Sequence, residues 1–166
     1  TVILVSGEVT TTDYNTTAGH IDTVRNGAQI RVGGNYVAGS NHTYVWDNAS
    51  LVLTGASNSI VTTANKPFWN FTSTKTGSAL CSLNVAADTL RCNNLTATGG
   101  VLSAMKPIKV SGNIDIASGV TTHFGSGADG VMVLAGGGRH YIYTNGGSRT
   151  WPAIKKNSVA DTISWR

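Results

Sequence analysis

The sequence predicts an all-β protein, and three observations carry that prediction. Charged residues make up 12% of the 166-residue chain, and Glu8 is its single glutamate. Because helix surfaces are normally built from Glu, Lys, Gln and Ala, this composition argues against helix almost everywhere. Short segments with β-branched or aromatic residues at alternate positions recur along the chain. Gly, Asn, Ser and Asp separate them, as turn residues do.

The strand-like segments follow one another closely. In chain order they are TVILVSGEV, AQIRV, YVW, SLVLTG, SLNVAAD, IKVSGNIDIA, VMVLAG and HYIY. They recur about every eight to twelve residues, a rhythm that fits a β-sandwich or a β-solenoid.

Internal similarity favours the solenoid. Three blocks recur in the same order: RVGGNYVAGS (31–40) resembles KVSGNIDIASG (109–119), DNASLVLTG (47–55) resembles ADGVMVLAG (128–136), and KPFWNF (66–71) resembles RTWPAI (149–154). The sequence therefore predicts about two copies of a unit of about eighty residues, stacked so that each buries the apolar face of the next. In this arrangement Val52 and Val133 would fill the same layer. An antiparallel β-sandwich is the alternative.

The predicted solenoid covers residues 31–166 as a single domain. Residues 1–30, with the segment TTTDYNTTAGH, match the repeat less well and are expected to form a cap or a linker. The chain begins with Thr and is read as a possible excerpt of a longer protein.

The run from 68 to 119, FWNFTSTKTGSALCSLNVAADTLRCNNLTATGGVLSAMKPIKVSGNIDIASG, resembles the repeat units of large secreted, adhesin-like bacterial surface proteins. Similar units occur in phage tail fibres and other virion appendages. The resemblance implies a right-handed parallel β-helix, with turns of roughly twenty to twenty-five residues stacked about 4.8 Å apart. It also implies an extracellular, cell-surface or virion location.

This fold and this resemblance predict a non-enzymatic structural and adhesive module. Such a module would present a rigid surface, self-associate into an oligomer, filament or larger assembly, or bind a glycan or a surface protein. One alternative is a polysaccharide-degrading enzyme of the tailspike or pectate-lyase type, for which Asp13, Asp22 and Asp115 are the candidate carboxylates. A virion decoration protein is another alternative.

The motif search gives no cofactor, no metal site and no nucleophile. G-x-S-x-G and the phosphate-binding glycine motifs do not occur in the sequence, and the four histidines form no ligand pattern. No apolar run is long enough to span a membrane as a helix. The formal charge of +4 suits acidic glycans or acidic partners but is too small to indicate specific nucleic-acid binding.

Aromatic residues beside basic ones are the candidate binding residues, because exposed rings stack on sugars or bases. In the segment HYIY the period of two places Tyr141 and Tyr143 on one face, opposite His140 and Ile142. Burial of Ile142 would expose the two tyrosines, and His140 is expected to face solvent or pack on a tyrosine. The predicted set is Tyr141, Tyr143, Trp151, Arg139, Arg149, Tyr36, Tyr44 and Trp46.

The cysteines and the glycosylation sequons point weakly to an oxidising compartment. Cys81 and Cys92 flank SLNVAADTLR and are either a disulfide between neighbouring strands or two buried free thiols. The N-x-S/T sequons are Asn15, Asn41, Asn48, Asn70 and Asn94.

Overall fold

A computed structural model describes residues 2–16, 21–39, 43–83, 88–125, 130–146 and 151–166. Within them the chain forms 20 strands and no helix. Every strand pairing is parallel, and the strands stack turn upon turn. The parallel β-solenoid is therefore confirmed. The antiparallel sandwich is wrong, because its neighbouring strands would run in opposite directions.

The strands are short and follow the chain in turns. They are β1 (Val2–Leu4), β2 (Glu8–Thr11), β3 (Tyr14–Thr16), β4 (Ile21–Arg25), β5 (Gln29–Val32), β6 (Tyr36–Ala38), β7 (Thr43–Asp47), β8 (Ser50–Gly55), β9 (Ser59–Thr62), β10 (Pro67–Lys75), β11 (Leu80–Ser82), β12 (Leu90–Gly99), β13 (Val101–Ala104), β14 (Ile108–Val110), β15 (Ile114–Ile116), β16 (Thr121–Phe124), β17 (Val131–Leu134), β18 (Arg139–Tyr143), β19 (Ala153–Lys156) and β20 (Thr162–Trp165).

The turns build three faces. The first face carries β1, β4 and β7, then the beginnings of β10 and β12, then β14, β17 and β19. The second face carries β2, β5 and β8, then the later parts of β10 and β12, then β15, β18 and β20. The third face carries β3, β6, β9, β11, β13 and β16. Among the described residues, six turns thus have strands on all three faces, and two further turns have strands on two.

The structural period is one turn and not the unit of about eighty residues. Register partners lie between 18 residues apart, as for Leu90 and Ile108, and 28 apart, as for Ile114 and Ile142. Val52 pairs on the second face, whereas Val133 pairs with Lys109 on the first. The two valines therefore do not fill one layer. Blocks from different faces look alike because each face requires the same alternation of strand and bend.

The core consists of columns of inward side chains, one from each turn. On the second face the register partners of turns two to seven form a fully buried column, made of Ile30, Leu51, Phe71, Leu95, Ile114 and Ile142. Burying each of these side chains contributes about 1.5–3 kcal/mol. The partners at the two ends of the column, Val9 in turn one and Trp165 in turn eight, are exposed. Residues 2–16 carry the first turn and pair in the same way with the second, so the segment expected to be a cap or linker contains strands of the solenoid.

An asparagine ladder runs along the corner between the first and second faces. Asn70 donates from Nδ2 to Ser50 Oγ over 3.3 Å, and Asn94 donates from Nδ2 to Asn70 Oδ1 over 2.9 Å. Asn94 Oδ1 in turn accepts the backbone N–H of Asn113, and Asn113 Oδ1 accepts that of Tyr141. The ladder satisfies polar groups at the place where the backbone bends away from its sheet.

A buried lysine joins three turns at the corner after the second face. Lys75 is 1% exposed, and its Nζ donates to the carbonyl oxygens of Gly33 at 2.8 Å, Thr54 at 2.6 Å and Ser57 at 2.9 Å. Burial lowers the pKa of Lys75, and the nearby Cys81 partly opposes this effect. Three carbonyl oxygens use all three protons of the ammonium group, which is what allows the charge to be buried.

The predicted disulfide is not present. Cys81 and Cys92 are free, buried thiols. Cys81 lies on the third face beside Leu102, whereas Cys92 lies on the first face of the next turn beside Phe68 and Val110. Burial raises the pKa of each thiol to about 12. Both side chains act as small apolar members of the core, which is the other interpretation of the sequence.

Candidate binding groove

The hydrogen-bonded ladder of the first face is interrupted between turns three and four. In the described part of the chain β7 is the last member of a three-stranded sheet, and no backbone pairing joins it to β10. Aromatic packing bridges the gap instead: the ring of Trp46 meets that of Phe68 edge to face, with centroids 4.9 Å apart. Two bulky rings hold the strands apart here and leave a depression in the surface.

This depression is a groove of about 550 Å³, within the range of small-molecule binding sites. Its polar and aromatic lining comes from β7, β10, β12 and β14 and from the bend after β14, and includes Trp46, Trp69, Arg91, Asn93, Lys109 and Ser111. Trp69 is 39% exposed, because it follows the inward Phe68 and the alternation of the strand turns it outward. The groove therefore joins an accessible indole ring to amide, hydroxyl and cationic groups.

Two cations stand side by side in the groove. Arg91 of β12 and Lys109 of β14 are direct register partners, on strands about 4.8 Å apart. Like charges in directly opposite positions destabilise a sheet. Among the described residues that line the groove none is acidic, and within the described chain neither cation forms an ion pair. The groove consequently has a local positive charge that no described protein group neutralises.

One of the sequence-predicted aromatic clusters is divided by the structure. Trp46 lies in the groove. Tyr36 is fully buried and stacks on Tyr14 with parallel rings 5.2 Å apart, so its assignment as a surface binding residue is wrong. The ring of Tyr14 from the turn before covers it, which the sequence did not indicate. Tyr44 lies in β7, and its side chain is outside the described residues.

The other predicted cluster lies on the second face, near the end of the described chain. Tyr141 and Tyr143 point outward, half-buried, with rings 6.1 Å apart, while Ile142 is buried as expected. The Arg166 guanidinium lies 4.2 Å from the centroid of the Tyr141 ring, a cation–π contact.

The remaining members of that cluster do not converge with the tyrosines on a single cavity. Arg139 is exposed at the start of β18, and Trp151 packs edge to face on Trp165 with centroids 5.3 Å apart. Arg149 lies outside the described residues. Tyr143 lines a shallow polar strip of about 410 Å³ on this face, and Tyr141 is not among its described lining residues. The strip also includes Ser50, Asn70, Asn94, Asn113 and Asp115.

His140 does not face solvent and does not pack on a tyrosine, which corrects the expectation from sequence. It is fully buried, with Nδ1 2.8 Å from the carbonyl oxygen of Gly112 and Nε2 3.0 Å from Asp161 Oδ1. The two groups that face the ring nitrogens, a carbonyl oxygen and a carboxylate oxygen, are both hydrogen-bond acceptors.

Asp161 is the anionic partner of that ring. It also accepts the backbone N–H groups of Gly137 and Gly138 at Oδ1 and that of Ser158 at Oδ2. The hydrogen bond from His140, opposed by burial and helped by these N–H groups, lowers the pKa of Asp161 to about 2. The pair is enclosed in protein and joins turns six, seven and eight. Its role is therefore to hold these turns together.

Two of the carboxylates considered for catalysis, Asp13 and Asp115, are not brought together. Asp13 follows β2 in the first turn and accepts the backbone N–H of Asn35. Asp115 lies in β15 of the sixth turn and accepts from Asn145, so about 24 Å of stacked turns separate the two. Asp22 lies in β4 of the second turn, and its side chain is outside the described residues. Glycoside cleavage requires carboxyl groups about 5–10 Å apart. Within the described residues no group of three or more His, Cys, Asp or Glu could hold a metal ion.

The sequons differ in what their side chains do. Asn70 and Asn94 use their amide nitrogens in the asparagine ladder, and a glycan on either nitrogen would replace one of its two N–H groups. Asn15 in β3 and Asn48 after β7 are exposed, and Asn41 lies outside the described residues.

Comparisons of the chain with protein-family models, with curated proteins and with solved structures found no match. Among the described residues there is no helix of the length and apolar character that crossing a membrane requires.

Proposed function

We propose that the chain is a non-enzymatic structural and adhesive module of an extracellular surface or a virion, which presents the groove of its first face to a glycan or a protein partner. The groove carries the proposal, because an exposed indole ring and unneutralised cations lie together on the side of a stacked ladder. Side chains on strands are held more precisely than side chains on loops, which suits recognition.

The scaffold supports the same role through its rigidity. Each inner turn is hydrogen-bonded to the turn before and the turn after it, and side-chain ladders reinforce the corners. Backbone held in this way resists local opening and therefore proteolysis. Self-association belongs to the proposal as well, since strands with unpaired edges pair with other chains unless they are covered.

The test compares binding with cleavage on the same polysaccharides. The purified chain is applied to an array of immobilised glycans and to intact cells. Each soluble counterpart of the glycans is incubated with it and analysed for shorter products by size-exclusion chromatography. Binding without shortening is expected. Shortened products would overturn the proposal in favour of an enzyme, and failure to bind any glycan or cell surface would overturn its adhesive part.

A further inference from the structure

The residues of the groove point to a particular class of ligand. Trp69 exposes part of its indole ring in the groove, and the face of such a ring is the negative side of its quadrupole. The C–H groups on the flat face of a sugar ring are complementary to such a surface. Asn93 and Ser111 line the same groove, and their amide and hydroxyl groups pair with sugar hydroxyls.

The paired cations add a requirement for negative charge. Arg91 and Lys109 occupy opposite positions on neighbouring strands, so bringing an anionic group between them relieves their mutual repulsion and forms charge-assisted hydrogen bonds. The guanidinium of Arg91 provides a planar fork that matches a carboxylate or a sulfate group. Trp69 and Lys109 lie on strands two steps apart, about 10 Å along the solenoid axis, so one short ligand can touch both.

We propose that the groove binds an acidic saccharide, one that carries carboxylate or sulfate groups, with a sugar ring stacked on Trp69 and an acidic group held between Arg91 and Lys109. This inference rests on the proposed adhesive function and specifies its ligand. A nucleic acid is disfavoured, because only two of the described residues that line the groove are cations, whereas a nucleic-acid strand carries a charge at every nucleotide.

The experiment measures dissociation constants by titration calorimetry for four probes: an oligouronate, a sulfated oligosaccharide, a neutral oligosaccharide of the same length and a single-stranded oligonucleotide. We expect at least one acidic saccharide to bind about tenfold more tightly than the neutral one and the oligonucleotide. We also expect its affinity to fall as salt is raised. The acidic probe that binds identifies which anionic group the pair prefers.

Variants locate the binding. Arg91→Gln is expected to weaken acidic-saccharide binding about tenfold, and Trp69→Ala roughly fivefold. Lys156→Gln removes an exposed cation outside the groove and serves as the matched control, with unchanged affinity expected. Circular dichroism confirms that each variant keeps its strand content.

The inference would be overturned by equal affinity for the acidic and neutral saccharides, by tighter binding of the oligonucleotide, or by a loss in Lys156→Gln as large as that in Arg91→Gln. If saccharides bind but the groove variants leave affinity unchanged, the adhesive function stands and the site is elsewhere. If no glycan or cell surface is bound at all, the adhesive function fails together with the inference.

Discussion

Replacing Lys75 with methionine tests whether the buried ammonium group stabilises the solenoid. Lys75→Met keeps most of the length of the side chain but removes the charge and all three donated protons. The carbonyl oxygens of Gly33, Thr54 and Ser57 then lose this donor. We expect the variant to be clearly less stable than the wild type.

The magnitude follows from the three hydrogen bonds. A hydrogen bond to a charged group contributes about 1.5–3 kcal/mol, so the three together contribute about 5–9 kcal/mol. Methionine avoids the cost of taking an ammonium group out of water, which is several kcal/mol and offsets part of the loss. We therefore expect the free energy of unfolding to fall by about 3 kcal/mol, at the lower end of what removing one partner of a buried charged pair costs.

Urea unfolding followed by tryptophan fluorescence measures this change, and hydrogen exchange shows where it occurs. Because stability in a solenoid is shared mainly between neighbouring turns, faster exchange is expected first at the backbone around Thr54 and Ser57. Lys156→Met, at an exposed lysine, is the control and should change the unfolding free energy by less than about 0.5 kcal/mol. A loss below about 1 kcal/mol in Lys75→Met would refute the reasoning.

Two further predictions concern the packing of turns and the buried carboxylate of Asp161. Gly100 has φ +70°, and a Cβ there would lie 2.6 Å from the carbonyl oxygen of Ala79, so Gly100→Ala should lose about 2–3 kcal/mol in urea unfolding. Gly77→Ala, with φ +59° and open space, should lose only about 1 kcal/mol, and equal losses would contradict the steric argument. The pKa of Asp161 is lowered from 3.8 to about 2, so its contribution is complete above about pH 4 and is lost as the pH falls through about 2. Asp161→Asn should reduce the fall of the urea midpoint of unfolding between about pH 4 and about pH 2. If the midpoint falls as far in the variant as in the wild type, other groups cause the fall.

The alternation of side chains made the fold class predictable, because a strand shows its two faces within a few residues. The length of the repeat was not predictable in the same way. Val52 and Val133 belong to similar sequence segments, yet they lie on different faces. Each face of a solenoid requires the same pattern of apolar and polar positions. Similarity between two sequence segments therefore does not reveal which face each segment forms.

The candidate site was only partly predictable, because it depends on partners from other turns. Trp46 was predicted and lies in the groove, whereas Trp69, Arg91 and Lys109 were missed. The signal that would have found the cations is their register, an offset of 18 residues that varies between turns with the length of the bends. His140 was misplaced for the same reason, since its partner Asp161 is 21 residues away.

The regular spacing of register partners has a consequence for how the chain acquires its structure. Each strand meets its partner 18 to 28 residues earlier or later in the chain, so no pairing closes a large loop and every closure has a similar entropic cost. A nascent or translocating chain can therefore wind one turn at a time, with the last completed turn serving as the template for the next. The direction in which the chain emerges then sets the order of folding.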